Sequence, residues 1–287
     1  VKDGHKTPDL ILVRYGELGL KSHPVRKKFE RTLRNSIERA FMDARIEAAV
    51  RMENGRFFIG ANEPEKAMKI LSRTFGIVSI SPVWTTSSEI GEITSLAAEL
   101  WGGTLEQGQS FAVRARRSGG HPYTSMELAR EVGSAIWEAN KAANPSVNLK
   151  NPDVEFFVEV RDRSAYLFMD VMPGPGGLPI GTQGVVAACL RTEEDAVAAW
   201  LMMKRGCYLD VCGEKRFIDA LRLWDSGIHE IEADTLEELL GTSRADGLVV
   251  GETLENFGGL VLDIPVFYPL IGLGRDDVEK LKKRVLG

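Results

Sequence analysis

Three cysteines in 287 residues, Cys189, Cys207 and Cys212, are too few for a disulfide framework. Cys207 and Cys212 have four residues between them, so they do not form a CxxC pair, and no second Cys pair or histidine cluster completes a metal site. The bland reading of both is a packed thiol at each end of a strand, CYLDVC. No apolar run reaches the ~18 residues of a membrane span, and the first residues, VKDGHKTPDL, lack the apolar centre of a signal peptide. The expectation is a cytoplasmic protein with no membrane partner. An overall basic surplus is missing too, since the net charge is −5.

The distribution of charge says more than its sum. Residues 1–183 hold 24 Lys and Arg against 22 Asp and Glu, and residues 184–287 hold 12 against 19, so the acid sits in the last third. Residues 14–56 carry 11 basic residues and 6 acidic ones, the bias of a segment that meets phosphates.

At roughly 100–200 residues per domain, this length allows two or three domains. Residues 1–78 read as the first. Leu10 to Arg14 is a strand, and Val25, Phe29, Leu33, Ser36 or Ile37, and Ala40 fall on one face of a helix. Lys27, Arg31, Arg34 and Glu38 occupy the opposite face, either a solvated stripe or an RNA-facing one. RFFIG (56–60) and a helix from about Pro64 to Phe75 complete a β-α-β-β-α unit of the ferredoxin type.

Residues 79–172 read as the second domain. In FAVRARR (111–117) the period of two puts Arg114 and Arg116 on one face, while Arg117 opens the following loop. Ser125 is a suitable N-cap for a helix whose core face is Leu128, Val132 and Ile136. An arginine-bearing strand end beside a helix amino terminus suits a phosphate, because guanidinium forks and free N–H groups converge. Residues 147–170 read as a loop with Lys150 and two antiparallel strands. Charge pattern alone leaves RNA binding and a solvated face both open.

The segments VRYGELGLKS, FGIVSISP, FAVRARR, HPYTSMELAREVG, VNLKNPDVEFFVEV and GGLPIGTQG, in this order, resemble the 4-thiouridine-forming tRNA sulfurtransferases, also called thiamine-biosynthesis sulfurtransferases. The resemblance spans residues 10–206. It implies a ferredoxin-like domain, a THUMP domain that binds the acceptor end of tRNA, and a doubly wound parallel-sheet domain of the ATP-pyrophosphatase type. The fold class is thus mixed α/β and α+β. The resemblance implies RNA contacts for Arg114, Arg116, Arg117, Ser125 and Lys150, and secondarily for Arg14, Lys21, Lys27 and Arg31.

Residues 173–287 depart from the family pattern. Val185 to Cys189 reads as a buried parallel strand, and Ala196 to Met203 as a helix. Aligned on AVAAWLMMKRG, the family's Ser-Gly-Gly-x-Asp-Ser phosphate loop falls on Leu190, Arg191, Thr192, Glu193, Glu194 and Asp195, with no identity. Glycine lets backbone N–H groups approach a phosphate, and a Cβ hinders that approach. Thr192 is a suitable N-cap, and three carboxylates take the positive end of the helix dipole. At an effective dielectric near 20, a like charge about 4 Å away costs roughly 4 kcal/mol, so these acids oppose a triphosphate unless a cation bridges them. VVGETLENFGGL keeps the family's Gly-Glu-Thr-Leu but not the Gly-Gln-Val-Ala-Ser-Gln that follows it, and Tyr268 stands where the family has arginine. The segment has room for four or so strands, and no cysteine follows Cys212.

The sequence therefore points to a tRNA-binding protein with a degenerate nucleotide loop and no cofactor, working with a separate modification enzyme or as a homodimer. The alternative is an active tRNA sulfurtransferase that uses ATP and Mg²⁺ at an altered site. Cys189, at the strand end before the loop, is then the best-placed sulfur carrier.

Overall fold

The first expected strand, Leu10 to Arg14, is β1 (Leu10–Tyr15), one residue longer, and it pairs antiparallel with β3 (Arg56–Ala61) through Ile11 with Ile59 and Val13 with Phe57. All four side chains are buried. The computed structural model describes residues 6–16, 22–53 and 55–287. Lys21 lies outside them. The chain forms two compact units, one of Val1–Val13, Arg51–Gly60 and Ile80–Met172, the other of Arg14–Val50, Ala61–Ser79 and Pro173–Gly287.

Between β1 and β3 run α1 (His23–Asp43) and β2 (Ala48–Glu53), and after β3 comes α2 (Pro64–Leu71). Proline near the start of each helix suits φ near −65° and loses only an N–H with no helical partner. The core face of α1 is Phe29, Leu33, Ile37 and Phe41, one turn later than expected, and Val25 is exposed. Helix α2 stops at Leu71, four residues before the expected end. Phe75 is buried beyond it, and Gly76 turns with φ of +95°.

The next elements are β4 (Ile77–Ser87), α3 (Ile90–Trp101), β5 (Ser110–Ser118), α4 (Ser125–Ala139), β6 (Ser146–Val147), β7 (Val154–Arg161), β8 (Ser164–Phe168) and β9 (Met172–Pro173). The sheet runs β2-β3-β1-β4-β8-β7-β5-β6, with β9 beside β4. As expected, β7 and β8 are antiparallel, while β5 lies parallel to both β6 and β7. Helices α3 and α4 pack on each other, and Ile93, Leu100, Leu128, Val132 and Ile136 join Phe111, Phe156 and Val158 of the strands in one core.

The last elements are β10 (Val185–Leu190), α5 (Glu193–Lys204), β11 (Tyr208–Gly213), α6 (Lys215–Arg222), β12 (His229–Glu230), α7 (Leu236–Thr242), β13 (Leu248–Val249), β14 (Val266–Phe267) and α8 (Arg275–Leu286). Five strands, one more than the sequence suggested, form a parallel sheet in the order β12-β11-β10-β13-β14. The order reverses at β10, so the crevice at the carboxyl ends of β10 and β13 is a topological switch point. Helix α5 buries Ala196 to Trp200 without a gap, as a helix covered on most sides does. It ends against Gly206, whose φ of +96° and tight approach to Thr182 and Pro179 leave no room for a Cβ. Among the described residues, no helix is long and apolar enough to cross a membrane.

Candidate RNA interface and the loop after the first parallel strand

Strand β5 runs on through Arg117 to Ser118, so Arg117 lies within the strand and does not open the loop. The alternation then splits the arginines. Phe111, Val113 and Ala115 face the α3–α4 core, which puts Arg117 on the helix side and Arg114 and Arg116 on the other face. Arg114 is half-buried and committed inside the fold: its Nε donates to Glu155 Oε1 at 2.7 Å and a terminal nitrogen donates to the Leu149 carbonyl at 2.9 Å. Arg116 is exposed and makes no ion pair with a described residue. Arg117 is exposed, with one long bond of 3.4 Å to the Gly119 carbonyl.

Helix α4 begins one residue earlier than expected. Its N-cap is Thr124, and Ser125 is the first helical residue. Thr124 Oγ1 accepts from the Glu127 N–H at 3.1 Å, and Glu127 Oε2 accepts from the Thr124 N–H at 2.7 Å, a reciprocal capping box. These bonds to Thr124 hold the Glu127 carboxyl below its ordinary value, and the nearby charges of Arg130 and Arg117 act the same way. Tyr123 is pushed up by burial, then by Glu89, with Arg117 opposing. Arg117 is thus the one arginine of the three whose charge reaches this helix start. Lys150 is exposed in the turn that precedes β7, where it lines a shallow depression with Glu155, Phe157 and Met169. In the other unit, Lys27 and Arg31 are exposed on α1, Arg34 is engaged with Glu38 at 2.8 Å, and Arg14 is partly buried with partners of its own.

The expected nucleotide loop is shorter than the alignment implied. Leu190 is the last residue of β10 and fully buried, so it takes no part in the loop. Thr192 caps α5, its Oγ1 accepting from the Asp195 N–H at 3.1 Å. The Asp195 carboxylate gathers four donors. One oxygen, Oδ2, accepts from the Thr192 N–H at 3.0 Å, the Arg191 N–H at 3.2 Å and the Thr192 hydroxyl at 2.8 Å. The other, Oδ1, accepts from the Gly251 N–H at 3.0 Å. Gly251 passes so close to the start of α5 that a Cβ would collide with Glu194 and Asp195.

The two remaining acids meet a cation from the far end of the chain. Lys282 of α8, largely buried, reaches Glu194 at 2.7 Å, Glu279 at 2.9 Å and Glu193 at 3.5 Å. Its bonds to Glu194 and Glu279 raise its ammonium pKa, and the bond from Lys282 holds Glu194 below the usual carboxylate range. Sequence reading missed both Lys282 and Gly251. Gly251 stands in the Gly-Glu-Thr-Leu stretch, where nothing local names Asp195 as its partner.

Of the thiols, Cys207 is buried just before β11, with its Sγ 4.0 Å from the Gln183 carbonyl, and burial pushes it up. Cys189 and Cys212 stand opposite each other on neighbouring parallel strands, each the fifth residue of a six-residue strand. Both side chains belong to one small apolar cluster with Ala187, Leu239 and Leu248. Burial, followed by the neighbouring Cys189 thiol, pushes Cys212 up to about 12. Cys189 is half-buried and lines a cavity of about 400 Å³ at the switch point, with Arg191, Thr235 and Val249. No group of three or more His, Cys, Asp and Glu side chains able to hold a metal occurs among the described residues.

The arrangement of sheets and helices is matched in known proteins. The model of the ThiI ferredoxin-like domain matches residues 10–81, and that of the THUMP domain residues 87–170. A probable tRNA sulfurtransferase of Methanosarcina acetivorans is 32% identical, over 97% of this chain and 81% of its own length. That of Methanothermobacter thermautotrophicus is 33% identical, over 96% and 84%. The chain belongs to the tRNA sulfurtransferase family. The first of these alignments runs over 336 positions against the 287 residues here, so the relative has internal segments that this family member lacks. Among solved structures, PH1313 from Pyrococcus horikoshii has a TM-score of 0.82 at 29% identity, covering 96% of this chain and 98% of that one. A 4-thiouridine synthetase solved with RNA and bound ATP has a TM-score of 0.77, covering 98% and 85%. At 23% identity it bears on the fold alone.

Proposed function

We propose that this member of the family holds the acceptor end of tRNA through its THUMP domain and does not adenylylate uridine, leaving that chemistry to a separate modification enzyme. The observation that carries the reading is the Asp195 carboxylate. It takes the backbone N–H groups of Arg191, Thr192 and Gly251, the donors at the loop and at the neighbouring strand end. A triphosphate would have to displace a built-in anion held by four bonds and then lie beside Glu193 and Glu194, whose counter-charge, Lys282, is already shared among three carboxylates. Phosphate sites at helix starts work because those N–H groups are unclaimed.

For RNA, Arg116, Arg117 and Lys150 are exposed, and Lys27 and Arg31 add cations on α1. Arg114 and Ser125 contribute less, because Arg114 is engaged with Glu155 and Ser125 is not the cap. RNA is recognised through shape and unpaired bases, so a minihelix with a single-stranded 3′ end competes with whole tRNA under this reading, and a blunt duplex does not.

A second reading, an active sulfurtransferase, is favoured by the partial exposure of Cys189 at the switch-point cavity. Nucleoside analysis of tRNA incubated with the protein, ATP, Mg²⁺ and a sulfide source decides between them. The first reading expects bound but unmodified tRNA. Thiolated uridine that vanishes in a Cys189→Ser variant would establish the second.

A further inference from the structure

The sheet register brings together two thiols that the non-adenylylating reading proposed above leaves without a role. Cys189 and Cys212 are paired across β10 and β11 and share one apolar cluster on the same face of the sheet. Directly paired side chains on parallel strands lie on the same face, about 4.8 Å apart. A disulfide needs Cβ atoms about 3.5–4.5 Å apart, closer than the spacing of the two strands. An atom placed between the two sulfurs relieves that requirement. It must be content with two ligands, because no cluster of three metal-binding side chains occurs among the described residues, and this rules out the four-coordinate geometry that Zn²⁺ takes. It must also be soft, since both donors are sulfur. An entry route exists, for Cys189 is half-buried and borders the cavity of about 400 Å³ at the carboxyl ends of β10 and β13.

We propose that Cys189 and Cys212 form a two-thiolate site for Cu(I), clipped across the ends of the two central strands. Binding replaces two S–H protons by one ion, 2 RSH + Cu⁺ → (RS)₂Cu⁻ + 2 H⁺, with no change of oxidation state. The guanidinium of Arg191, on the cavity wall, is the nearby positive charge for the resulting anionic centre. Cys207 stands apart from the pair, against the Gln183 carbonyl, and takes no part.

The test is anaerobic titration of the whole reduced protein with Cu(I) against the chromophoric chelator bicinchoninate. The wild type and the Cys207→Ser variant should each retain one ion per chain. Cys189→Ala, a change at the half-buried member, should weaken retention at least a hundredfold with the circular dichroism spectrum unchanged. If Cys212→Ser does not fold, the wild type treated with phenylarsine oxide serves in its place. Arsenic bridging both thiols should give a single adduct by mass spectrometry and abolish copper uptake. Wild-type protein that yields all its copper to the chelator, or Cys189→Ala that retains it as well as the wild type, would overturn the site.

Discussion

Helices α4 and α5 start with the same device and end up with opposite character. Each begins at a threonine that bonds to the third residue of the helix, Glu127 in one and Asp195 in the other, and each receives a bond back. At α4 the long glutamate returns only to Thr124, there is one acid in the first turn, and those bonds to Thr124 hold it low, with Arg130 and Arg117 adding to the effect. At α5 the shorter aspartate sits tight against the backbone and collects N–H groups from Arg191, Thr192 and Gly251, with two more acids beside it. A helix amino terminus therefore has no fixed affinity for phosphate. What decides is how many of its donors the chain's own carboxylate has claimed, and the sign of the charge around them.

The largest effect expected from this contrast concerns the α4 side. Replacing Arg114, Arg116 and Arg117 by alanine should lower tRNA affinity by orders of magnitude at low salt. It should also flatten the slope of log affinity against log salt by close to one unit for each phosphate that is no longer neutralised. Single variants sharpen the point. Arg116→Ala and Arg117→Ala should each cost more than Arg114→Ala, because Arg114 is already engaged with Glu155 and the Leu149 carbonyl. Equal slopes for the triple variant and the wild type, measured by filter binding, would remove the assignment.

Next in size is the α5 side. Asp195→Ala removes a carboxylate with four donors and should cost about 2–4 kcal/mol in urea unfolding, while Thr192→Ala, which removes one cap bond, should cost about 0.5–2 kcal/mol. Neither should reduce tRNA affinity. A loss of RNA binding in either variant would mean that the two helix starts are not independent.

The smallest effect is electrostatic. Glu194 is held low by Lys282, so its contribution to stability is present above the unfolded glutamate value of about 4.3 and is lost as pH falls through the lower folded value. Lys282 is held high, so its share is present below the ordinary lysine value and is lost as pH rises through the raised one. Lys282→Met should flatten both limbs of the stability–pH curve by a small amount, since Glu194 is partly solvated.

Much of the architecture was legible in the sequence because it is written in local periods. The strand from Leu10 to Arg14, the alternation in FAVRARR, the helical spacing of Phe29, Leu33 and Ile37, and the continuous apolar run from Val185 each gave the right element. The boundaries that slipped were set by neighbours. Thr124 displaced Ser125 as cap because Glu127 sits three residues after it, and Arg117 stayed in β5 because β7 continues to pair with it as far as Ser118. At the loop, the acids were visible but not what holds them. Lys282 and Gly251 are 87 and 56 residues from Asp195 in sequence, and no local pattern links such positions. The Cys189–Cys212 pair needed the register of two strands, a relation between elements and not within either.

The central claim, that Asp195 has closed this loop to phosphate, is tested most directly by titration calorimetry of the tRNA-bound protein with ATP and Mg²⁺. The account predicts no saturable heat at concentrations up to the millimolar range, while tRNA itself gives a clear binding isotherm in the same buffer. A one-to-one isotherm with ATP in the micromolar range would contradict it, and would mean that the Asp195 carboxylate yields its backbone donors to a nucleotide.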